Sequence, residues 1–493
     1  MTDNRLKVVM TTEGTYPYYT GGVSTWADTL IKGMDDVDFY ILPILMHPYI
    51  SMKFDIPLNV IDVLPIPLWG TEEPNEFISN IAFYKTYMKK VKTYDSATED
   101  KFIKIIETVV MSIYDDNADL GMLGETLLEF HEYFKRFDYH TTFRSQRVWY
   151  LFYDMMLHVY KGRSNSPAIY NFVESLRWLY RFFISLLTPV IEADIYHSSA
   201  AAFCGLPCIV AKLMKGSKFI LTEHGIYVRE QYLYASREKM PEFTKDFLMH
   251  LVSTISRLNY YFADQISPVC EYNKRWEVKF GAPAEKIKVI YNGIDLNKFR
   301  KTDVEANLNP TIVMVARIDP LKDIETFIRT CDAVLKKRDN VVFKLYGPVN
   351  SEKYYTKCME LVDALGIKNN FIFAGKTSSP ELANNEGDVV LLTSISEAFP
   401  FSVIEAMACE KVVISSDVGG TKEVLEGYGY IVKPRDYEAF ADAIIHVLDN
   451  PAEAAEIGID ARQRVLRGFT IQDMVNNYRN AYYSLVDAEV PIS

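Results

Sequence analysis

Short apolar runs, each closed by a turn and followed by residues at helical spacing, recur along this chain. The first is Lys7–Thr12 (KVVMTT), which leads through Gly14 and the Gly21-Gly22 pair into an amphipathic stretch from about Ser24 to Met34. Ala193–Ser199, Lys218–Gly225, Ala263–Val269 and Lys286–Gly293 repeat the pattern. A second series follows at Thr311–Arg317, Val341–Gly347, Asn370–Gly375, Val389–Ser394 and Lys411–Ser416. Runs this short and apolar, alternating with helical segments, predict α/β domains built on parallel sheets covered on both faces. The polar stretch Arg300–Asn309 separates the two series, so one domain is expected over residues 1–300 and another over 301–469.

Two segments stand outside that alternation. From about residue 72 to 191 the chain turns helical and aromatic, which predicts an inserted helical layer in the first domain. Its aromatics either fill a core or present a surface to an acceptor or partner. Over residues 470–493, Ile471, Met474, Val475, Tyr478, Tyr482 and Leu485 share one helical face behind Thr470. That predicts a Thr-capped helix over Thr470–Val486 that needs a surface to lie on.

Composition then narrows the function. The chain has 493 residues, 49% of them hydrophobic, with 53 Lys plus Arg against 65 Asp plus Glu, a formal charge of −12. An acidic chain is poorly suited to holding nucleic acid through its phosphates, so no nucleic-acid partner is expected. The six cysteines are scattered, with neither a disulfide framework nor metal-ligand spacing. The start, MTDNRLKVVM, does not read as a signal peptide. The nearest thing to a membrane span, Phe182–Ile191, lies between Arg181 and Glu192 and is too short. A soluble, cytoplasmic multidomain protein is the expectation.

The chemistry-bearing residues sit where strands give way to helices. Gly21-Gly22 and Gly419-Gly420 are the two adjacent glycine pairs, one in each half. Such pairs make tight turns or let a ligand approach the backbone beside a helix N-terminus. Matched pairs in two halves favour a ligand lying between the halves. Ile395–Glu410 (ISEAFPFSVIEAMACE) follows a strand, and Pro400 suits the first turn of a helix over Phe401–Cys409. Glu397 is then on the loop at the strand's C-terminal end and Glu405 about one turn into the helix, the region where open α/β sheets bind ligands. Two carboxylates there can accept hydrogen bonds from a polyol while the helix N-terminus receives a diphosphate. Arg317 stands just past another strand end with Lys322 close behind, two cations able to neutralise a leaving diphosphate. His224, in TEHGIYVRE, lies at a strand end in the first half, and His197 is a weaker candidate of the same kind.

Arg317 with Lys322, Glu397 with Glu405, and GGTKE around Gly420 together resemble the donor half of a retaining family 4 glycosyltransferase of the GT-B fold. The opening EGTYPYYTGGVSTW, the helical insertion and TEHGIYVRE resemble a narrower branch, the Pel exopolysaccharide-type glycosyltransferases. The resemblance implies two Rossmann-like doubly wound domains facing a cleft, with the C-terminal helix crossing back to the first. It implies a UDP-sugar donor, retention at the anomeric carbon and no required cofactor or metal. Arg317 and Lys322 would then hold the diphosphate, and Glu405 the ribose. Glu397, with the backbone of Phe399, Pro400 and Phe401, would hold the hexose hydroxyls, and Ser402 and Gly420 would belong to the donor-binding set. His224 would contact the sugar, and Gly21-Gly22 the phosphates. Expected partners are the nucleotide-sugar donor, a glycan or lipid-linked acceptor, and a membrane-bound polysaccharide synthase complex at the inner face of the membrane. A sugar-nucleotide epimerase and a non-catalytic sugar-nucleotide-binding subunit are the alternative readings.

Overall fold

Runs that are apolar at nearly every position become strands buried on both faces. The computed structural model describes residues 5–70, 82–94, 96–161, 167–302, 304 and 307–487. The chain divides into two units. The first holds residues up to Pro268, Lys274–Val289 and those from Tyr478 on; the second holds Val269–Asn273 and Ile290–Asn477.

In the first unit, β1 (Leu6–Glu13), α1 (Gly22–Lys32), β2 (Val37–Leu45), β3 (Val60–Val63) and β4 (Ile66–Pro67) come first. After a helical insertion follow β5 (Ile195–Ser198), β6 (Lys218–Glu223) and β7 (Gln265–Pro268). The sheet runs β3-β2-β1-β5-β6-β7 with β4 beside β2, and the pairs are parallel. The chain winds outward from β1 on one side and then on the other, the doubly wound arrangement. The predicted strand Lys286–Gly293 is not one. It makes a single bridge, Ile287 to Ile266, with Lys288 N–H donating to Ile266 O. The next ladder bond would require an N–H on Pro268, which has none.

The insertion comprises α2 (Phe83–Thr93), α3 (Ser96–Tyr114), α4 (Leu120–Arg136), α5 (Tyr139–Phe143), α6 (Gln146–Val159) and α7 (Ile169–Phe182). Its expected start near residue 72 lies outside the described residues. Asp119, Asp138 and Ser145 cap α4, α5 and α6 by accepting from Met122, Thr141 and Val148 N–H. Phe102, Phe130, Phe134, Tyr139 and Phe143 are buried ring against ring, with Phe130 and Phe134 centroids 4.8 Å apart. They share one core with Val9, Leu42 and Ile44 of the sheet, so the insertion extends the domain core rather than building its own. The later helices are α8 (Leu206–Lys215), α9 (Tyr227–Arg237), α10 (Glu242–Phe262) and α11 (Glu271–Lys279). α4 and α10 approach so closely at Gly124 that a Cβ there would lie 2.2 Å from the Phe262 ring.

The second unit alternates β8 (Thr311–Val315), α12 (Ile324–Leu335), β9 (Val342–Tyr346), α13 (Glu352–Leu365), β10 (Phe371–Gly375), α14 (Pro380–Glu386), β11 (Val389–Leu392), α15 (Phe401–Ala408), β12 (Val412–Ser416), α16 (Thr421–Leu425), β13 (Tyr430–Val432), α17 (Tyr437–Asp449) and α18 (Pro451–Leu466). Its parallel sheet runs β10-β9-β8-β11-β12-β13, which places the reversal of winding between β8 and β11. β2, β3, β4 and β13 are not among the strands the sequence pattern predicts.

Thr470 caps the last helix, α19 (Ile471–Asp487), accepting Asp473 N–H at 3.0 Å. From Tyr478 onward it belongs to the first unit, where its apolar stripe is buried. Tyr482 OH lies 2.7 Å from His197 Nδ1, His197 Nε2 lies 2.8 Å from Thr222 Oγ1, and Tyr478 OH reaches the same hydroxyl at 3.0 Å. Trp26 sets its edge against both His197 and Tyr478. On the rim Arg479 pairs with Asp36 at 2.9 Å. His197 is therefore a structural residue. Burial pushes its imidazole down to about 3, so it stays neutral while both nitrogens are hydrogen-bonded.

Removing the Tyr482 hydroxyl leaves a buried imidazole nitrogen unpaired, so Tyr482→Phe is expected to cost about 1–3 kcal/mol. Tyr482→Ala, which also opens a cavity, is expected to cost roughly 3–5 kcal/mol. Urea denaturation followed by near-ultraviolet circular dichroism checks both, and wild-type stability in Tyr482→Ala would refute the docking role.

Candidate active site

The ends of β8 and β11, side by side at the reversal of winding, organise the second unit's polar residues. After β8 the chain passes exposed Arg317 and tightens into a single turn over Pro320–Lys322, capped when Asp319 accepts Leu321 N–H. Asp323 then adopts φ 47°, a left-handed conformation uncommon for a residue with a side chain, and its carboxylate accepts from Thr326 Oγ1 at 2.6 Å. Just past β11, Thr393 Oγ1 donates to Lys322 O and Asp323 O at 3.0 and 3.1 Å, and Ile395 N–H donates to Leu321 O. The two loops are thereby tied together. Lys322 Nζ and Glu397 Oε1 form an ion pair across them at 2.5 Å, with the carboxylate side chain 12% exposed.

Support comes from the other side through the glycine pair. Gly419 has φ 57°, and a Cβ on it would lie 1.9 Å from Glu397 O. Gly420 N–H donates to Ala398 O at 2.8 Å. Both glycines are needed by the close approach of the Glu397–Ala398 backbone. α15 starts at Phe401 behind Pro400, with no side-chain cap, so its first N–H groups have no side-chain acceptor. Ser402 lies in that first turn. Phe399 packs its ring on Tyr291 and Phe469, leaving only its backbone for a ligand.

Glu405 lies one turn along α15. Its charged neighbours are Lys298 and Glu381, and burial pushes its carboxyl up to about 7 against the pull of Lys298. Buried hydroxyls of Ser394, Ser416 and Thr421, at the ends of β11 and β12 and the start of α16, have no hydrogen-bond partner among the described residues. Sequence reasoning passed over these and Thr393; a hydroxyl residue just beyond an apolar run was the available signal.

In the first unit Gly21 and Gly22 are exposed at the start of α1, and Gly21 is extended with open space where a Cβ would be. His224 follows β6 and sets its ring 4.6 Å from that of Trp26; its Nε2 is buried without a partner, and burial pushes it down to about 3. Both histidines at strand ends are therefore neutral. Beside them is a buried acidic group. Tyr260 OH donates to Glu223 Oε2 at 2.7 Å, Tyr227 N–H to Glu223 Oε1 at 3.2 Å, and Tyr227 OH to Glu13 Oε1 at 3.1 Å. Glu277, from α11, is fully buried against Glu223. Desolvation raises both carboxyls and repulsion by Glu223 raises Glu277 further, so the pair keeps a proton at neutral pH. Among the described residues no group of three or more His, Cys, Asp or Glu side chains is placed to hold a metal ion.

Residues 6–285, more than half of the chain, match the family described as "Domain of unknown function (DUF3492)", and the chain belongs to that family. Residues 297–464 match "Glycosyl transferases group 1". The chain is 25% identical over 173 residues to a poly(ribitol-phosphate) alpha-N-acetylglucosaminyltransferase of Staphylococcus aureus, a match covering 34% of each protein. The chain spans 34–55% of the length of that and two further curated relatives. Its fold is that of a sucrose-phosphate synthase from Thermosynechococcus elongatus (TM-score 0.62, 16% identity, covering 98% of this chain and 100% of that one). Anabaena HepE, solved in complex with UDP and glucose, shares it (TM-score 0.59, 14% identity, covering 98% and 100%). The fold class is thus the two-domain Rossmann-like α/β type of these structures.

The Glu223–Glu277 pair sets a pH dependence whose sign follows from its raised values. Unfolded, each glutamate ionises near 4.5, whereas the folded pair retains a proton to higher pH. Above 4.5 the unfolded state has lost a proton that the native state keeps, so stability declines as pH rises. Glu277→Gln, neutral in both states, is expected to melt higher than wild type at pH 8 and at about the same temperature at pH 4. Calorimetric scans at the two pH values check this.

Proposed function

We propose that the chain is a retaining, metal-independent glycosyltransferase of the family 4, Pel-like type that moves a hexose from a UDP-sugar to a growing glycan in exopolysaccharide synthesis. The observation that carries this reading is the Lys322–Glu397 pair, built at the switch point of the second unit's sheet, with exposed Arg317 five residues before Lys322. The match of residues 297–464 to group 1 glycosyl transferases supports it, and the UDP complex of the HepE structure supports the uridine nucleotide. The alpha linkage in the name of the Staphylococcus aureus relative supports retention, given a donor with its sugar α-linked to the diphosphate.

In this reading the arriving diphosphate takes Lys322 from Glu397 and gains Arg317 as a second cation. Charge that grows on the departing diphosphate meets fixed positive groups, with the uncapped start of α15 adding its N–H groups. Glu397, released from Lys322, accepts hydrogen bonds from the hexose hydroxyls. Glu405, part-protonated near neutral pH, both donates to and accepts from the ribose diol. The acceptor hydroxyl attacks from the face the diphosphate leaves, and its proton passes to a departing phosphate oxygen. The bond from anomeric carbon to diphosphate breaks as the new glycosidic bond forms, with no covalent enzyme intermediate.

Arg317→Ala and Lys322→Ala are each expected to lower kcat by about two orders of magnitude while leaving the fold intact. Turnover measured across UDP-, GDP- and ADP-sugars would give this result with UDP-sugars; wild-type rates in both variants would refute the site. Activity is also expected to persist in EDTA, because two cations and a helix start hold the diphosphate. Loss on chelation with recovery by Mg²⁺ or Mn²⁺ would overturn that part of the mechanism.

A further inference from the structure

The helix α2 is amphipathic the wrong way round for a helix that only covers a protein core. The residues it turns toward the protein are polar: Thr86, Lys89 and Lys90 are half-buried and Thr93 is buried. Lys89 Nζ donates to Phe134 O at 3.3 Å, and Thr93 Oγ1 accepts Asp138 N–H at 2.8 Å while donating to Lys89 O. The opposite side carries Phe83, Tyr84, Tyr87, Met88, Val91 and Tyr94. Phe83 is 87% exposed and Tyr94 76%, values that leave these rings almost wholly in water. Phe83, Tyr87 and Val91 repeat every four residues, so they form one continuous stripe. A stripe of this kind is costly to leave in water and marks a docking surface.

Its charge indicates what it docks on. Residues 83–94 contain four lysines and no acidic residue, in a chain whose net charge is −12. Lys85 and Lys92 are exposed beside the aromatic stripe and have no ion-pair partner among the described residues. Aromatic and aliphatic side chains flanked by lysines are the composition of a helix that lies in the headgroup layer of an anionic bilayer. Tyrosine suits that layer because its ring is apolar and its hydroxyl stays wet. A partner protein offering an acidic, apolar groove is a less economical fit, because Lys85 and Lys92 flank a stripe of exposed rings on one three-turn helix. Among the described residues no helix is long and apolar enough to cross a membrane.

We propose that α2 docks the protein on a negatively charged lipid bilayer, its aromatic stripe in the interface and Lys85 and Lys92 on the lipid phosphates. This docking requires nothing of the glycosyl-transfer reading. The test uses the full chain and extruded vesicles, one set of phosphatidylcholine alone and one with added phosphatidylglycerol. Wild type is expected to co-sediment with the anionic vesicles, weakly with the neutral ones, and to be released by salt. Lys85→Glu with Lys92→Glu is expected to lower partitioning by at least about tenfold. Phe83→Ser with Val91→Ser is expected to abolish it, and both pairs should leave the melting temperature unchanged because the altered side chains are in water. Failure of the wild type to bind anionic vesicles, or unchanged binding by both variant pairs, would overturn the proposal. A wild-type dimer by light scattering that the Phe83→Ser, Val91→Ser pair dissolves would assign the stripe to a second copy of the chain instead.

Discussion

One hydroxyl joins the loops on which the candidate donor site depends. Thr393 Oγ1 spans the carbonyls of Lys322 and Asp323, and the Ile395–Leu321 bond continues the seam. Beneath it, the missing side chain of Gly419 lets the Glu397 carbonyl come within what would be bonding distance of a Cβ. The backbone therefore sets where the Lys322 ammonium and the Glu397 carboxylate stand, and their attraction is a result of that placement. A pair held in place by other bonds is free to exchange partners without loosening the fold, which is what a binding site for an anionic ligand requires.

The alternation of apolar runs and helical segments made most of both sheets legible, because parallel strands buried on both faces leave a compositional trace in a single sequence. The trace failed where the fold interrupts it. β2 contains Pro43, and β13 is only three residues long. Lys286–Gly293 has the right composition but the wrong neighbour, since Pro268 stops the ladder. Spacing cannot report such partners.

The site was legible as a set of residue types and less so as an arrangement. The two glycine pairs look equivalent in sequence, yet Gly419 is crowded by backbone while Gly21 is extended beside open space. Glu397 and Glu405 look like a pair, yet one is held by Lys322 and the other lies near Lys298 and Glu381. His197 and His224 both follow strands, but the hydroxyls that occupy His197 come from Thr222, 25 residues away, and from Tyr482, 285 residues away. The protonated Glu223–Glu277 pair left no local signal, because its two members come from a strand end and a helix that only the fold brings together. Distance along the chain, more than residue type, decided what could be read.

The docking of α19 has a consequence for how the chain becomes a protein. The core around His197 is closed by Tyr478 and Tyr482, which are synthesised after the whole of the second unit. While the ribosome makes residues 290–477, the first unit carries a half-built polar pocket and an uncovered patch around Trp26. Contacts of such sequence separation form late, and surface left open meanwhile is a route to misassembly. The second unit has nearly all of its own chain in one continuous stretch and is free to fold as it emerges. The order of domains along the sequence is thus reversed in time: the half that starts first is finished last.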